Sequence, residues 1–276
     1  MDVNQDYRYI GENFSYEHLT DARPNMSMFV LHNHNDMHEI IFFIRGNAEF
    51  KVEGSTYPLN SYDIVITHSD EMHMMCHLSP TELYERVVIH IKRAFFAQNG
   101  CERFLGFFTN RPLGVNNLIS SELVKKENVL GLVEDFDRHI ASDEKMPNVV
   151  AKAKVVELLY RMSRIATSKC EPYHEDEKLK NVIAYINDNI KTELTLDDIA
   201  QHVFISKYHL CHTFKKYSGL TINQYINHKR ILLVRSLVSK GWTLLDAALE
   251  SGFDNYSNFY KTYVKITGKS PRQDMK

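Results

Sequence analysis

The first hundred residues alternate short apolar runs with turn-forming residues. Four runs, at 40–44, 48–52, 63–67 and 86–91, are rich in β-branched and aromatic side chains. Glycines 46 and 54, the segment 58–61 and the Ser-Pro pair at 79–80 separate them. Short strands at this spacing are typical of an antiparallel barrel or jelly roll. The pattern therefore predicts an N-terminal antiparallel β domain over residues 1–100.

Between residues 101 and 170 the apolar residues follow a helical period. The segments 129–139 and 147–166 carry broad apolar stripes. The second has two apolar faces, which are Val149, Ala153, Val156, Tyr160 and Ser163 on one side and Val155, Leu159, Met162 and Ala166 on the other. Either one face mediates dimerisation, or both faces pack on the β domain. The polar, proline-containing segment 166–177 is predicted to be a linker.

The last hundred residues contain one pattern twice. Thr195-Leu-Asp-Asp-Ile-Ala recurs 48 residues later as Thr243-Leu-Leu-Asp-Ala-Ala, and the pattern of residues 210–219 recurs 49 residues later at 259–268. The two offsets differ by one, which predicts one inserted residue at the turn of the second copy. Each copy has the pattern of a short helix, a tight turn and a longer helix with exposed cations. A helix-turn-helix presents its second helix to the major groove in this way.

Capping residues mark the ends of these predicted helices. Thr195 and Thr243 each precede an aspartate by three residues, as in a capping box. The N-caps of the two recognition helices are expected at Ser206 and at Asp254 or Asn255. Gly219 and Gly268 are expected to end these helices in the left-handed conformation, followed by turns at Thr221 and at Ser270–Pro271. A helix over 222–240 would span about 27 Å. Together with the width of the flanking units, this length would hold the two recognition helices about one turn of B-DNA apart, roughly 34 Å.

Residues 178–276 resemble the DNA-binding domain of AraC/XylS-type transcription regulators. The matching motifs are Leu194–Ala200, Phe214-Lys-Lys216, Gly219, Gly252-Phe253 and Gly268-Lys-Ser-Pro271. The resemblance implies that the exposed faces of the two recognition helices read the bases. By position, the base-reading and phosphate-contacting candidates are Ser206, Lys207, Tyr208, Cys211, His212, Lys215, Lys216, Asn255, Tyr256, Ser257 and Lys261.

The chain departs from the family pattern at four positions. His212 and Lys261 stand where the family usually has arginine, which pairs bidentately with guanine. Ala247 replaces a larger aliphatic residue, and Phe204 replaces a frequent turn glycine. We therefore expect the first unit either to read a different base or to contribute less to recognition, and we expect local packing to differ near Ala247 and Phe204.

The charge distribution agrees with a nucleic-acid partner. From residue 176 onward there are 15 Lys and Arg against 10 Asp and Glu, whereas the preceding residues have 18 against 25. The overall formal charge of −2 thus hides a basic C-terminal part and an acidic N-terminal part. A basic surface supplies affinity for phosphates independently of sequence, although an excess of this size is also found on solvated surfaces.

A histidine-rich motif lies in the predicted β domain. His32-Asn-His34-x4-Glu39-x6-Gly46, followed by His73, resembles the first motif of a cupin, a sensor domain that regulators of this family often carry. The candidate effector-binding residues are His32, His34, Glu39, His73 and Arg86. The histidines and Glu39 have three interpretations: a metal-free ligand pocket, which we favour, a divalent metal site, or exposed loop residues. Arg86 is either a polar anchor for a ligand or a surface partner of Glu82 or Glu85.

The four cysteines are scattered, with no zinc-binding spacing. This usage, together with a polar N-terminus and the lack of a long apolar run, leads us to expect a cytoplasmic protein without membrane contact.

These observations predict a two-domain α+β regulator with three regions. A cupin-like effector domain (1–100) precedes a helical dimerisation or linker region (101–170), and an all-α double helix-turn-helix domain (176–276) binds double-stranded DNA. The expected effector is a sugar or a similar small polar molecule, and the expected assembly is a homodimer that contacts RNA polymerase if it is an activator. Neither a cofactor nor catalysis is expected; the alternative is a cupin-type metalloenzyme fused to a DNA-binding domain.

Overall fold

The computed structural model describes residues 6–22, 30–34, 36–142, 146–165 and 177–275. The chain divides into two compact units, residues 1–175 and 176–276. Most of the predicted linker, 166–176, lies outside the described residues, and residue 177 already begins a helix.

The strands of the first unit form two antiparallel sheets. In the described part of the chain, six strands have the order β1-β2-β8-β3-β6-β9 and three have the order β5-β4-β7. Their bounds are β1 Tyr7–Ile10, β2 Phe14–Asp21, β3 Met37–Arg45, β4 Ala48–Val52, β5 Ser55–Pro58, β6 Ile64–Thr67, β7 His73–His77, β8 Tyr84–Lys92 and β9 Leu118–Ile119. The predicted antiparallel β domain is confirmed, and its two sheets correspond to the jelly-roll alternative rather than to one closed barrel.

The six-stranded sheet buries both of its faces. Side chains alternate across a strand, so Ile41, Val65 and Val88 pack against Phe50 and other residues of the smaller sheet. Their neighbours along the same strands point the other way and pack against helices. This second core contains, among others, Ile40, Phe42, Ile64, Val87 and Ile89 from the strands and Val133, Phe136, Val155, Leu159 and Met162 from the helices. The larger sheet is therefore a middle layer.

The helices of the first unit follow β8. They are α1 Arg93–Gln98, α2 Gly106–Thr109, α3 Ser121–Lys126, α4 Val129–Ala141 and α5 Asn148–Arg164, with a 3-10 turn at Glu102–Phe104. The predicted helices over 129–139 and 147–166 thus correspond to α4 and α5.

The two faces of α5 differ in burial. Val155, Leu159 and Met162 are buried in the core described above. On the opposite face, Val149 is 73% exposed and Tyr160 is 44% exposed. One face of α5 is thus buried, whereas the other is only partly covered: Val156 packs against the core and Tyr160 contacts the Phe104 ring.

The second unit is helical throughout its described residues. Its helices are α6 Glu177–Asp188, α7 Leu196–His202, α8 Lys207–Ser218, α9 Ile222–Ser239, α10 Leu244–Glu250, α11 Tyr256–Thr267 and α12 Pro271–Asp274. The pairs α7–α8 and α10–α11 are the two predicted helix-turn-helix units, and α9 is the predicted helix between them.

The predicted caps are present. Thr195 and Thr243 accept a hydrogen bond from the backbone N–H of the aspartate three residues later. Ser206 and Asn255 cap the recognition helices α8 and α11. The helices end at Gly219 and Gly268, with φ of 71° and 72°. The N-caps of α8 and α11 are 49 residues apart and those of α7 and α10 are 48 apart, so the extra residue lies in the second turn.

Among the residues that the structure describes, every helix is too short or too polar to cross a lipid bilayer.

Candidate effector cavity and DNA-binding helices

A cavity of about 250 Å³ lies between strands of the two sheets in the first unit. Four alternate residues of β8 reach it, because successive side chains of a strand point to opposite faces. Its lining residues are Glu17, Leu19, His32, His34, Glu39, Ile41, Phe50, His73, Met75, Tyr84, Arg86, Val88 and His90. Eight of these thirteen residues are polar or ionisable and five are apolar, so the cavity offers many hydrogen-bonding groups.

Backbone pairing brings the histidines of the cavity together. Glu39 on β3 is directly opposite His90 on β8 in the strand register. His73 opens β7 in the smaller sheet, and His32 forms an isolated bridge with it, through backbone hydrogen bonds of 3.0 and 2.8 Å. Donor groups from both sheets therefore meet at one end of the cavity.

Glu39 is the centre of this cluster. Its Oε1 lies 3.2 Å from His34 Nε2 and 3.0 Å from His90 Nε2, and its Oε2 lies 3.1 Å from His73 Nε2. Burial alone would raise the pKa of Glu39. The charge of His73 and the hydrogen bonds from the three histidines outweigh burial and hold this pKa well below its usual value. The buried carboxylate is therefore ionised, and the surrounding histidines compensate its charge.

Arg86 supplies a cation farther along the same wall. Its guanidinium lies 4.8 Å from the centre of the Tyr84 ring, and both residues line the cavity. Glu85, one of the two surface partners considered for Arg86, instead pairs with Arg45 at 2.6 Å and with His18 at 2.9 Å. The position of Arg86 agrees with the polar-anchor interpretation.

A buried polar network lies behind the cavity, on the helical side of the middle sheet. His18 on β2 bridges Glu85 on β8 and Asp137 on α4, with its Nδ1 2.7 Å from the Asp137 Oδ2. The Tyr16 hydroxyl donates to the other oxygen of Asp137 at 2.7 Å. Glu85 is adjacent to the cavity residues Tyr84 and Arg86, so the network joins the cavity wall to α4.

All five effector candidates line this one cavity, and sequence reasoning missed three further polar residues of its lining, Glu17, Tyr84 and His90. The alternation Arg86, Val88, His90 in a predicted strand was the available signal for His90, because it places Arg86 and His90 on one face. The first cupin-like motif ends at Gly46 and does not include β8. A larger groove of about 640 Å³, lined by β1 and the start of α5, has no comparable cluster of polar groups.

The second unit exposes the side chains that were assigned to DNA. Cys211 and Tyr256 are half-buried; the others, which are Ser206, Lys207, Tyr208, His212, Lys215, Lys216, Asn255, Ser257 and Lys261, are exposed. Lys207 pairs with Asp197 at 2.8 Å. In each unit the opposite face of the recognition helix is buried, by Leu210 and Phe214 in α8 and by Phe259 and Tyr263 in α11. In both recognition helices a polar face is therefore exposed, while the opposite face is buried.

Arg230 in α9 binds the loop that follows α6, and the second turn packs against the same loop. Its guanidinium donates to the carbonyl oxygens of Ile190 at 3.0 Å and Thr192 at 2.7 Å. Gly252 lies in this turn at φ +89°, where a Cβ would be 2.7 Å from the Ile190 oxygen. The close approach of these segments therefore requires glycine.

Comparison with known proteins identifies the C-terminal part. Residues 199–276 match a family of helix-turn-helix domains. The HTH-type transcriptional activator AarP of Providencia stuartii is 30% identical over 114 residues, which cover 41% of this chain and 84% of AarP. The melibiose operon regulatory protein of Escherichia coli K12 is 36% identical over 101 residues, covering 36% of this chain and 33% of that protein.

One relative extends over both units. The HTH-type transcriptional activator RhaR of Escherichia coli O139:H28 is 23% identical over 257 residues, covering 92% of this chain and 89% of RhaR. The chain matches another curated relative over only 50% of that protein's length, and the melibiose operon regulatory protein over only 33%. With AarP matched over most of its length, the chain belongs to the AraC-type family of transcription regulators. Its named relatives are regulators, which are not enzymes.

Proposed function

We propose that this chain is a sequence-specific DNA-binding transcription regulator, and that a small polar molecule bound in the cavity of the first unit controls it. The observation that carries the proposal is the pairing of two equivalent, capped helix-turn-helix units in one domain with a polar-lined cavity in the other. A regulator needs a DNA-binding part and an effector-binding part, and each unit supplies one of them.

The DNA-binding part rests on the exposed faces of α8 and α11. The central helix α9 has 18 residues, so it is about 27 Å long. With the width of the flanking helices, this length allows the probes to enter adjacent major-groove segments, roughly 34 Å apart. Lys215 and Lys216 at the end of α8 would neutralise phosphates. His212 and Lys261, on the exposed faces, would contact base edges.

The effector part rests on the polar groups of the cavity. Arg86 offers a cation, Tyr84 a hydroxyl, and Glu39 a carboxylate held by histidines. Such donors and acceptors match the hydroxyl groups of a sugar or a sugar derivative. The melibiose operon regulatory protein, which is similar to this chain over 101 residues, carries a sugar in its name. We therefore place sugars first among the effector classes.

A chain of contacts from the cavity wall to α4 supports regulation by an effector bound in the cavity. Tyr84 and Arg86 face the cavity, whereas Glu85 between them faces His18 and, through it, Asp137 on α4. An effector that displaces β8 would act on the packing of α4 through this network. Regulation requires different effector affinities in two conformations, typically by 1–3 kcal/mol.

Dimerisation is assigned to the exposed face of α5. Val149 and Tyr160 are exposed there, while the opposite face is buried in the core. An exposed apolar stripe along a helix is a common subunit interface. We propose a homodimer formed through this face, with RNA polymerase as a further partner if the protein activates transcription.

A thermal-shift screen of the full-length chain against monosaccharides and disaccharides tests the effector part. At least one sugar should raise the melting temperature of the wild type, and Arg86→Ala should reduce the shift. Arg138→Ala, a change of an exposed cation on α4, should leave the shift unchanged. The sugar effector is wrong if no sugar shifts the wild type, or if Arg138→Ala and Arg86→Ala behave alike.

A further inference from the structure

Two triads of potential metal ligands overlap in the cavity. The ligand atoms of His32, His34 and His73 all lie within 4.8 Å of one another, and so do those of His34, Glu39 and His90. His34 belongs to both triads. Glu39 connects them, because it also lies 3.1 Å from His73. Four imidazoles and one carboxylate thus converge on one small volume.

Hydrogen bonds behind the histidines fix which ring nitrogen points inward. His32 Nδ1 lies 3.1 Å from the Val30 carbonyl oxygen, and His73 Nδ1 lies 2.9 Å from the Glu71 carbonyl oxygen. A carbonyl oxygen only accepts, so each Nδ1 carries the proton. In the neutral ring the Nε2 lone pair then faces the centre of the cluster. Metal-binding histidines are oriented by the same kind of contact.

The same atoms contact one another across the cluster. Glu39 Oε1 lies 3.0 Å from His90 Nε2 and 3.2 Å from His34 Nε2, and Glu39 Oε2 lies 3.1 Å from His73 Nε2. A metal ion binds neutral imidazole and ionised carboxylate, so a divalent ion at the centre would displace the protons shared in these contacts.

We propose that this cluster binds one divalent transition-metal ion, and that His90, outside the cupin-like motif, is one of its ligands. Imidazole ligands favour ions such as Zn²⁺, Ni²⁺, Co²⁺ or Fe²⁺ over Mg²⁺ and Ca²⁺, which prefer oxygen. The proposal selects the metal-site interpretation of these residues over the metal-free pocket favoured from the sequence. It rests on the proposed function in that the ion occupies the effector cavity, beside Arg86 and Tyr84.

Metal content and Co²⁺ binding test the proposal. The full-length chain, purified without an affinity tag or chelator, is analysed for metals by mass spectrometry. It is then stripped and titrated with Co²⁺, with the visible absorption of the bound ion as the signal. We expect about one equivalent of Co²⁺ per chain. Removing a residue that only orients a ligand typically weakens binding 10–100-fold, so His34→Gln and His90→Gln should each weaken it at least about tenfold.

A matched variant and a fold measurement complete the design. His139→Gln changes a histidine on α4 outside the cluster and should bind Co²⁺ like the wild type. Circular dichroism identifies any variant that fails to fold, and the wild-type titration stands without the variants. No saturable Co²⁺ binding by the wild type overturns the site, and wild-type affinity in His90→Gln overturns the role of His90.

DNA binding measured on the same samples separates the two proposals. A wild type that binds a selected DNA sequence but no Co²⁺ rejects the metal site alone. A wild type that takes up Co²⁺ but binds no DNA specifically rejects the regulator and retains the metal site.

Discussion

Phe204 in the first helix-turn-helix unit occupies the backbone position that Gly252 occupies in the second. Each N–H bonds to the carbonyl three residues earlier, of Gln201 at 3.2 Å and of Leu249 at 3.0 Å. Both have positive φ, +55° and +89°. A phenylalanine in the left-handed region is unusual and strained, and here its side chain is 91% exposed. The first turn thus contains strain that the second avoids.

Replacing Phe204 by glycine should stabilise the protein. The left-handed conformation costs a non-glycine residue about 1–2 kcal/mol, and the greater freedom of unfolded glycine offsets part of this gain. We expect Phe204→Gly to raise the free energy of unfolding by about 1 kcal/mol in urea titration. Gly252→Ala should lower it, because its Cβ would meet the Ile190 oxygen at 2.7 Å. A decrease in stability for Phe204→Gly would show that the side chain has a packing role.

The two recognition helices should differ in how they respond to loss of a cation. Lys261→Ala should weaken specific binding by about 1–3 kcal/mol and relax preference at one base pair. Lys215→Ala should weaken binding to all sequences alike and reduce the salt slope by about one unit. Fluorescence anisotropy with matched and mismatched duplexes over a salt series measures both. Unchanged base preference in Lys261→Ala would mean that α11 is oriented differently on the DNA.

His18 should make the stability of the first unit depend on pH. Burial lowers the pKa of His18, but Asp137 and Glu85 outweigh it and raise the pKa above its usual value. Tyr16, which also contacts Asp137, remains protonated because burial raises its pKa. Since the folded pKa exceeds the unfolded one, the stabilisation is complete below about pH 6.5 and is lost as pH rises through the folded pKa.

Urea titrations of the wild type and His18→Gln at several pH values test this dependence. The difference in unfolding free energy should be largest near pH 6 and shrink toward pH 9. His139→Gln, outside the buried network, serves as the comparison. A difference that stays constant over this range would show that His18 acts only by packing.

Since the exposed face of α5 is the proposed dimer interface, charged substitutions on it should weaken assembly. Val149→Asp with Tyr160→Asp should shift the chain toward the monomer in analytical ultracentrifugation, because charges would replace exposed apolar side chains. Both positions are exposed, so the thermal stability of the subunit should change little. A wild type that is already monomeric at micromolar concentration contradicts the assignment of this face.

The sequence predicted most where local chemistry decides the structure. The capped helices of the second unit follow from Thr195, Ser206 and Gly219, whose preferences act within a few residues. Phe204 also stood out, because the resembling family frequently has glycine at this turn. These features depend on residues close in sequence, and the repeat shows the same capping pattern twice.

The first unit was predicted less completely because its pairing is not local. β2 was missed: its segment Phe14–Asp21 mixes buried apolar residues with the polar His18, whose partners Glu85 and Asp137 are distant in sequence. His90 was missed for the same reason, since it reaches Glu39 only through the register of β3 and β8. Such contacts depend on long-range strand pairing, which a single sequence does not specify.

The proposed function requires that the duplicated units read two neighbouring windows of DNA. The most direct measurement selects duplexes from a randomised library with the full-length chain and then maps the bound sequence by hydroxyl-radical footprinting. We expect two protected windows on one face of the duplex, about one helical turn apart. Protection of a single window, or no selection of a sequence at all, would contradict it.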